Sequence, residues 1–232
     1  MKRIGIVAAL PSELRPLTRH WTHHAHLAHG RIGDIEAVAA CSGMGEKAVT
    51  HACERILAAS NPNAPIDALL SVGYAGSLSC GLNPPDAVSV REVIDANTGE
   101  RFATDNPKGQ RLVTLDHVAN PEEKRILGTT HQATLVDMEA ATVARFARTH
   151  NLDFLCFKAV TDGPNDKLPD FNRFTTPDGQ MRMGAFATYA LLHPQYWRVL
   201  GQLEKNSRLA ARQLAELVLT NFVPRAPSGS VN

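Results

Sequence analysis

The chain has 232 residues carrying 24 Lys and Arg against 23 Asp and Glu, a formal net charge of +1. Its 44% hydrophobic and 20% charged residues exclude disorder over the whole length, and the even charge balance argues against a nucleic-acid partner. The length suits a single α/β domain with a sizeable core, expected over residues 1–222, with 223–232 as a disordered tail.

Residues 4–10 form a continuous apolar run after Met1-Lys2-Arg3. The run ends at Pro11-Ser12-Glu13 without a small-residue cleavage site, so it reads as a first buried strand, not a signal peptide. No apolar run reaches the roughly 18 residues of a membrane span, and the expected location is the cytoplasm. A helix follows over 11–21, with Ser12 as its N-cap. His20, His23, His24, His26 and His29 lie in what reads as an exposed connection. They have no carboxylate or Cys at a fixed helical spacing, so no metal site is expected. Ile35–Cys41 is a second strand, 45–60 a helix ended by Asn61-Pro62, and 66–72 a third strand.

Ala87–Asp95 reads as a further strand and 95–110 as a loop or hairpin tip. Short strands follow at 111–115 and 134–136, then a helix over 138–151 and a buried strand over 154–160. From 184 to 222 the pattern is helical, broken at His193-Pro194. Four cysteines show no CxxC spacing. Cys41, Cys80 and Cys156 lie in or beside strand-like segments and read as small buried hydrophobes. Strands alternating with helices predict a three-layer αβα sandwich on a mixed, mostly parallel sheet. In such sheets chemistry collects beyond the carboxyl ends of the strands.

Polar residues stand at those ends. Glu13 follows the first strand and Ser42-Gly43-Met44-Gly45 the second. Gly73-Tyr74-Ala75-Gly76 follows the third, and Thr161-Asp162 the one over 154–160. Val136-Asp137-Met138-Glu139 opens a helix. Gly43 to Ala48 also fits G-x-G-x-x-A after a strand, the context of a dinucleotide fingerprint. The next strand opens with Asp67 instead of ending in the ribose-binding acid, which argues against that reading.

Together these segments resemble the nucleoside phosphorylase superfamily, and within it the methylthioadenosine/S-adenosylhomocysteine nucleosidases. Ile4 to Glu13 is similar to that family's opening strand and catalytic glutamate, and Ser42-Gly43-Met44-Gly45 to its S-G-[IM]-G turn. Gly73 to Gly76 resembles its G-x-A-G turn, Val136 to Ala140 its V-E-M-E-A segment, and Phe157 to Asp162 its strand ending in R-x-[IV]-S-D. The resemblance implies that Asp162 protonates N7 of a purine and that Glu13 activates a water. It implies that Glu139 holds the ribose hydroxyls, with Met138 against the sugar. Asp137, Gly43, Met44, Tyr74, Gly76, Lys158 and Thr161 would complete the pocket. Val118 takes the place of the usual aromatic stacked on the base, and Tyr74 and Lys158 replace a small residue and an arginine. Lys158 then positions the nucleophile, in preference to acting as a Schiff-base lysine.

The chemistry stands on its own terms. Cleaving an N-glycosidic bond passes through an oxocarbenium-like sugar. The purine departs only if its developing negative charge is neutralised, which calls for a general acid. Phosphorylases of this superfamily place an arginine where Ser71 stands, and phosphate recognition favours an arginine fork. Hydrolysis is therefore the expected reaction. Phosphorolysis with phosphate as co-substrate and a silent adenosine-binding module are the alternatives. No cofactor is implied, and a homodimer is.

The C-terminal third resembles the hopanoid-biosynthesis-associated branch of the superfamily. The segments concerned are Ala119 to Lys124, Asp166 to Pro169, Pro177 to Gln180 and the break at His193-Pro194. That branch implies a lipid-linked nucleoside, adenosylhopane. The last helix carries Leu200, Leu203, Ala210, Leu214 and Leu217 on one side and Arg198, Lys205, Arg208 and Arg212 elsewhere. It fits either contact with a membrane surface or packing on the core or on a second copy. Phe171 and Phe174 are candidates for a lid over the 5′ side of the sugar.

Overall fold

The computed structural model describes residues 1–60, 64–169, 171–174, 176 and 182–222. The helix stop at Asn61-Pro62, the segment Pro177 to Gln180 and the expected tail at 223–232 lie outside the described residues.

The strands are β1 (Arg3–Ala8), β2 (Thr22–His24), β3 (Leu27–Ile32), β4 (Ile35–Cys41), β5 (Ala68–Ser77), β6 (Ala87–Asp95), β7 (Arg101–Ala103), β8 (Gln110–Thr114), β9 (Leu135–Asp137) and β10 (Asp153–Asp162). The helices are α1 (Pro11–Thr18), α2 (Glu46–Ala58), α3 (Pro121–His131), α4 (Ala140–Thr149), α5 (Met183–Leu192) and α6 (Trp197–Phe222). One mixed sheet runs β2-β3-β4-β1-β5-β9-β8-β6-β10, with β7 on β6. Because β10 also pairs with β5, the strands β5, β9, β8, β6 and β10 close on themselves. The other strands extend from β5 as an open sheet.

The expected three layers are present. On one face α2 and α4 bury Val49, Ala52, Ile56, Val143 and Ala147 against Val7, Leu69 and Cys156. On the other, α1 and α6 bury Leu14, Leu17, Ala210, Leu214 and Val218 against Ile4, Ile6, Leu70 and Phe157. A smaller cluster of Leu78, Ile94, Val113, Leu115 and Val136 sits under α3, with Leu127 packed on it. Parallel pairs place β1 beside β4 and β5, and β5 beside β10, with their carboxyl ends at one edge.

Several sequence expectations are corrected. The residue at the N-cap of α1 is Leu10, whose amide donates to the Glu13 carboxylate at 2.8 Å; Ser12 lies inside the helix. Gly73 to Gly76 is not a turn, because β5 continues through it to Ser77 on its hydrogen bonds to β10. The histidine-rich stretch is not a connection but a hairpin of β2 and β3 on the sheet edge, turned by Ala25 and His26 at positive φ. The 95–110 segment holds β7, which pairs back onto β6. Residues 121–131 form α3, which hydrophobic periodicity alone does not reveal; its N-terminus is a capping box of Asn120 and Glu123. Cys80 is exposed and Cys41 half-buried, whereas Cys156 is buried and its thiol is pushed up to about 12 by burial.

Gly5, in the middle of β1, lies under α2. A Cβ there would stand 2.5 Å from Ile56 Cγ2 and 2.7 Å from Leu69 Cδ2. Gly5→Ala is therefore predicted to overpack this seam and destabilise the protein by about 1–3 kcal/mol. Urea denaturation checks it, and unchanged stability would contradict the β1–α2 packing.

Candidate active site

The site is built at the carboxyl ends of β1, β4, β5 and β10. The β1–α1 turn carries Glu13 to the edge of the sheet, where it is buried. Its carboxylate accepts from the Leu10 amide and, through Oε1, from the Tyr74 amide of β5, both at 2.8 Å. A Cβ on Gly73 would stand 2.9 Å from Glu13 Oε1, so only glycine admits this approach. Burial pushes the Glu13 carboxyl up; the two amides and the Lys158 charge hold it down in part.

Lys158, from the middle of β10, is buried and donates to Asp137 Oδ2 at 2.7 Å and to Ser71 Oγ at 3.2 Å. Burial alone would lower the Lys158 ammonium. The Asp137 carboxylate, with Cys156 and Glu139, more than reverses this and holds it above its ordinary range. Lys158 is thus a fixed cation, unsuited to Schiff-base chemistry. Asp137 also accepts from Thr114 Oγ1 at 2.7 Å and from the Ala140 amide at 3.0 Å, which ties β8 and β9 to the start of α4. Every contact named for Asp137 is structural.

Glu139 sits at the N-cap of α4, beside half-buried Met138, and keeps some solvent exposure in a densely packed neighbourhood. Burial first, then the charges of Asp137 and Glu13, push its carboxyl up to about 8, against the pull of Lys158. On the other side of the sheet edge, Gly43 and Gly45 adopt positive φ, which leads β4 into α2 past half-buried Met44. Tyr74 turns its ring onto the α1–α6 face of the core. Val118 is half-buried in the loop before α3.

Asp162 closes β10. The pairing with β5 shifts register between Val160 and Asp162, and this irregularity re-aims the last residues of the strand. Asp162 Oδ1 accepts from the Thr161 hydroxyl at 3.0 Å, and Oδ2 receives the Lys124 ammonium at 2.5 Å. Lys124 also donates to the Gly163 carbonyl at 2.7 Å. The sequence reading did not single out Lys124, because a lone lysine in a charged helical turn normally points to water. The capping box at Asn120 marks the start of α3 but not the face on which Lys124 lies.

A cleft of about 440 Å³ opens over Asp162. Thr161, Asp162, Asp166 and Leu168 line one side, and Arg198, Val199, Leu203 and Asn206 of α6 the other. Asn206 donates to the Thr161 carbonyl at 2.8 Å, which fixes α6 to the end of β10. Leu200 and Leu203 are half-buried in this first half of α6, while Ala210, Leu214 and Val218 of the second half pack on the core. Phe174 is buried and meets Phe186 edge-on and Tyr189 of α5 at a tilt; Phe171 also meets Phe186. Among the described residues no helix is long and apolar enough to cross a membrane.

The model of the phosphorylase superfamily matches residues 3–127 and, in a second segment, 115–192. No curated protein sequence matches the chain. Solved structures share the fold. The methylthioadenosine/S-adenosylhomocysteine nucleosidase of S. pneumoniae, bound to a transition-state inhibitor, superposes with a TM-score of 0.69 at 21% identity, over 94% of this chain and 96% of that one. The S-adenosylhomocysteine nucleosidase of Streptococcus pyogenes gives 0.70 at 18% identity, over 96% and 98%. The futalosine hydrolase of Helicobacter pylori gives 0.67 at 15% identity, over 96% and 98%.

Glu139 generates a pH prediction. Its folded-state pKa of about 8 lies above the ordinary 4.5, so the native state keeps a proton that the unfolded chain releases. This stabilisation is complete below 4.5 and is lost as pH rises through 8. The melting temperature is expected to fall across that window, and Glu139→Gln to flatten the fall; calorimetry checks it. An identical pH dependence in the variant would contradict the placement of Glu139.

Proposed function

The chain belongs to the phosphorylase superfamily, and from that premise we propose that it hydrolyses the N-glycosidic bond of an adenine nucleoside carrying a modified 5′ carbon. One observation carries the reading. Along β5 the Glu13 carboxylate lies against Gly73 and the Asp162 carboxylate against Gly76. The two glycines are three residue steps apart, about 10 Å along the strand. In this reading the sugar and its base lie between a group that activates water and a group that meets the leaving purine.

Glu13 is the general base. Burial raises its pKa, which makes it a better proton acceptor than an ordinary carboxylate. Water held there attacks C1′ as the C1′–N9 bond lengthens. Glu139 receives the ribose hydroxyls and, once ionised by that contact, stabilises the positive sugar. Asp162 hands a proton to N7, so adenine departs neutral. Asp137 and Lys158 do not meet the substrate in this scheme; they position the floor of the site.

Water is favoured over phosphate by the state of Lys158. Its charge is already matched by Asp137 at 2.7 Å, and Ser71 beside it is neutral. A phosphate would find no free cation at that place, and it would face Glu13. The 5′ substituent is proposed to be apolar. Leu168 on one side of the cleft and Val199 and Leu203 on the other give it an apolar lining, and Trp197, Leu191 and Leu192 are exposed. A lipid-linked adenosine such as adenosylhopane is the extreme member of that class, and a helix resting on a membrane surface fits its delivery.

Adenine release from methylthioadenosine, S-adenosylhomocysteine and adenosylhopane tests the roles. Asp162→Asn and Glu13→Gln are each expected to lower kcat by about 10²–10⁴-fold, the usual contribution of acid–base catalysis. Near wild-type turnover in both variants would sink the assignment.

A further inference from the structure

Resting on this hydrolase reading, we propose that Lys124 is the proton source for the leaving purine, acting through Asp162 as a buried two-residue acid. Lys124 is 2% exposed, among the most buried of the large side chains, and it comes from α3, outside the strand-end motifs. A buried lysine is costly unless it is paired and hydrogen-bonded. Here its Nζ reaches Asp162 Oδ2 at 2.5 Å and the Gly163 carbonyl at 2.7 Å. The fold makes room for this contact. A Cβ on Gly76 would lie 2.9 Å from Asp162 Oδ2 and 3.3 Å from Lys124 Nζ. The capping box at Asn120 fixes the start of α3, so the lysine arrives at a set depth.

The pairing has a chemical consequence. A carboxylate that shares an ammonium proton has no proton of its own to spare for the substrate. A departing purine is a far stronger base than a carboxylate, and it draws the shared proton as the bond breaks. The C1′–N9 electron pair passes to the purine, N7 takes a proton from Asp162, and Asp162 is resupplied by the Lys124 ammonium. Water bonds to C1′ through oxygen and gives its proton to Glu13. Return of that proton to Lys124 through solvent restores the enzyme. No further reactant is required. Because Lys124 acts through Asp162, it is a positioning and proton-supplying residue, and Asp162 is the group that touches the substrate.

The test compares two leaving groups. An adenine nucleoside needs a proton to depart; the nitrophenolate of p-nitrophenyl β-D-ribofuranoside does not. Lys124→Met is expected to lower kcat for adenine release by about 10²–10⁴-fold, with KM little changed, while nitrophenol release stays near the wild-type rate. Lys124→Arg keeps the charge beside Asp162 but is a far poorer proton donor, so it is expected to show the same split, and it decides the matter if the methionine variant fails to fold. An equal loss on both substrates in a folded variant, or no loss on adenine release in either variant, would overturn the proposal. A wild-type protein that cleaves neither substrate would overturn the hydrolase reading and this proposal with it, an outcome visible before any variant is made.

Discussion

The buried ion pair of Lys158 with Asp137 is the interaction on which the site depends. It joins the middle of β10 to the end of β9, and through Asp137 it reaches Thr114 of β8 and the first amide of α4. Strands that are far apart in the chain are thereby held in one register at the carboxyl edge of the sheet. Removing one member of such a pair leaves an uncompensated charge in the interior, at a cost of about 3–5 kcal/mol. The pair also sets the electrostatics nearby. Burial raises both Glu139 and Glu13; Asp137 pushes Glu139 further up, and Lys158 pulls both carboxyls down in part.

Around this floor the chain uses glycine where a carboxylate must touch backbone. Gly73 and Gly76 each leave the volume of a Cβ to an acidic side chain. The irregular register at the end of β10 swings Asp162 over the cleft, and Asn206 ties α6 to the same strand end. Two buried lysines then divide the labour. Lys158 is neutralised by Asp137 and builds the site, whereas Lys124 pairs with Asp162, the carboxylate proposed to meet the leaving base. Local structure, packing and chemistry are coupled here through a few residues of β5 and β10.

Much of this was legible in the sequence. A continuous apolar run identified β1, and β4, β10, α2 and α4 were read in their places from the alternation of strand-like and helix-like segments. The polar residues placed after those strands do gather at one edge. What failed to show has physical reasons. β5 overran its apolar core because glycines and a tyrosine pair with β10 as well as aliphatics do, and they carry no alternation to read. β2 and β3 were hidden by histidines, which tolerate an exposed hairpin edge without the apolar signal of a buried strand. α3 was announced by Asn120, Pro121 and Glu123, a capping signal and not a hydrophobic one. Lys124 was invisible because burial of a lysine is decided by its tertiary partner, and Asp162 lies 38 residues away in the chain.

The central claim is that the edge of this sheet directs water onto C1′ of a nucleoside. The most direct measurement is turnover of an adenine nucleoside in ¹⁸O-labelled water, with and without inorganic phosphate, followed by mass analysis of the sugar. The account predicts one labelled oxygen in the free sugar for each adenine released, at a rate independent of phosphate. An unlabelled ribosyl 1-phosphate formed only when phosphate is present would contradict it.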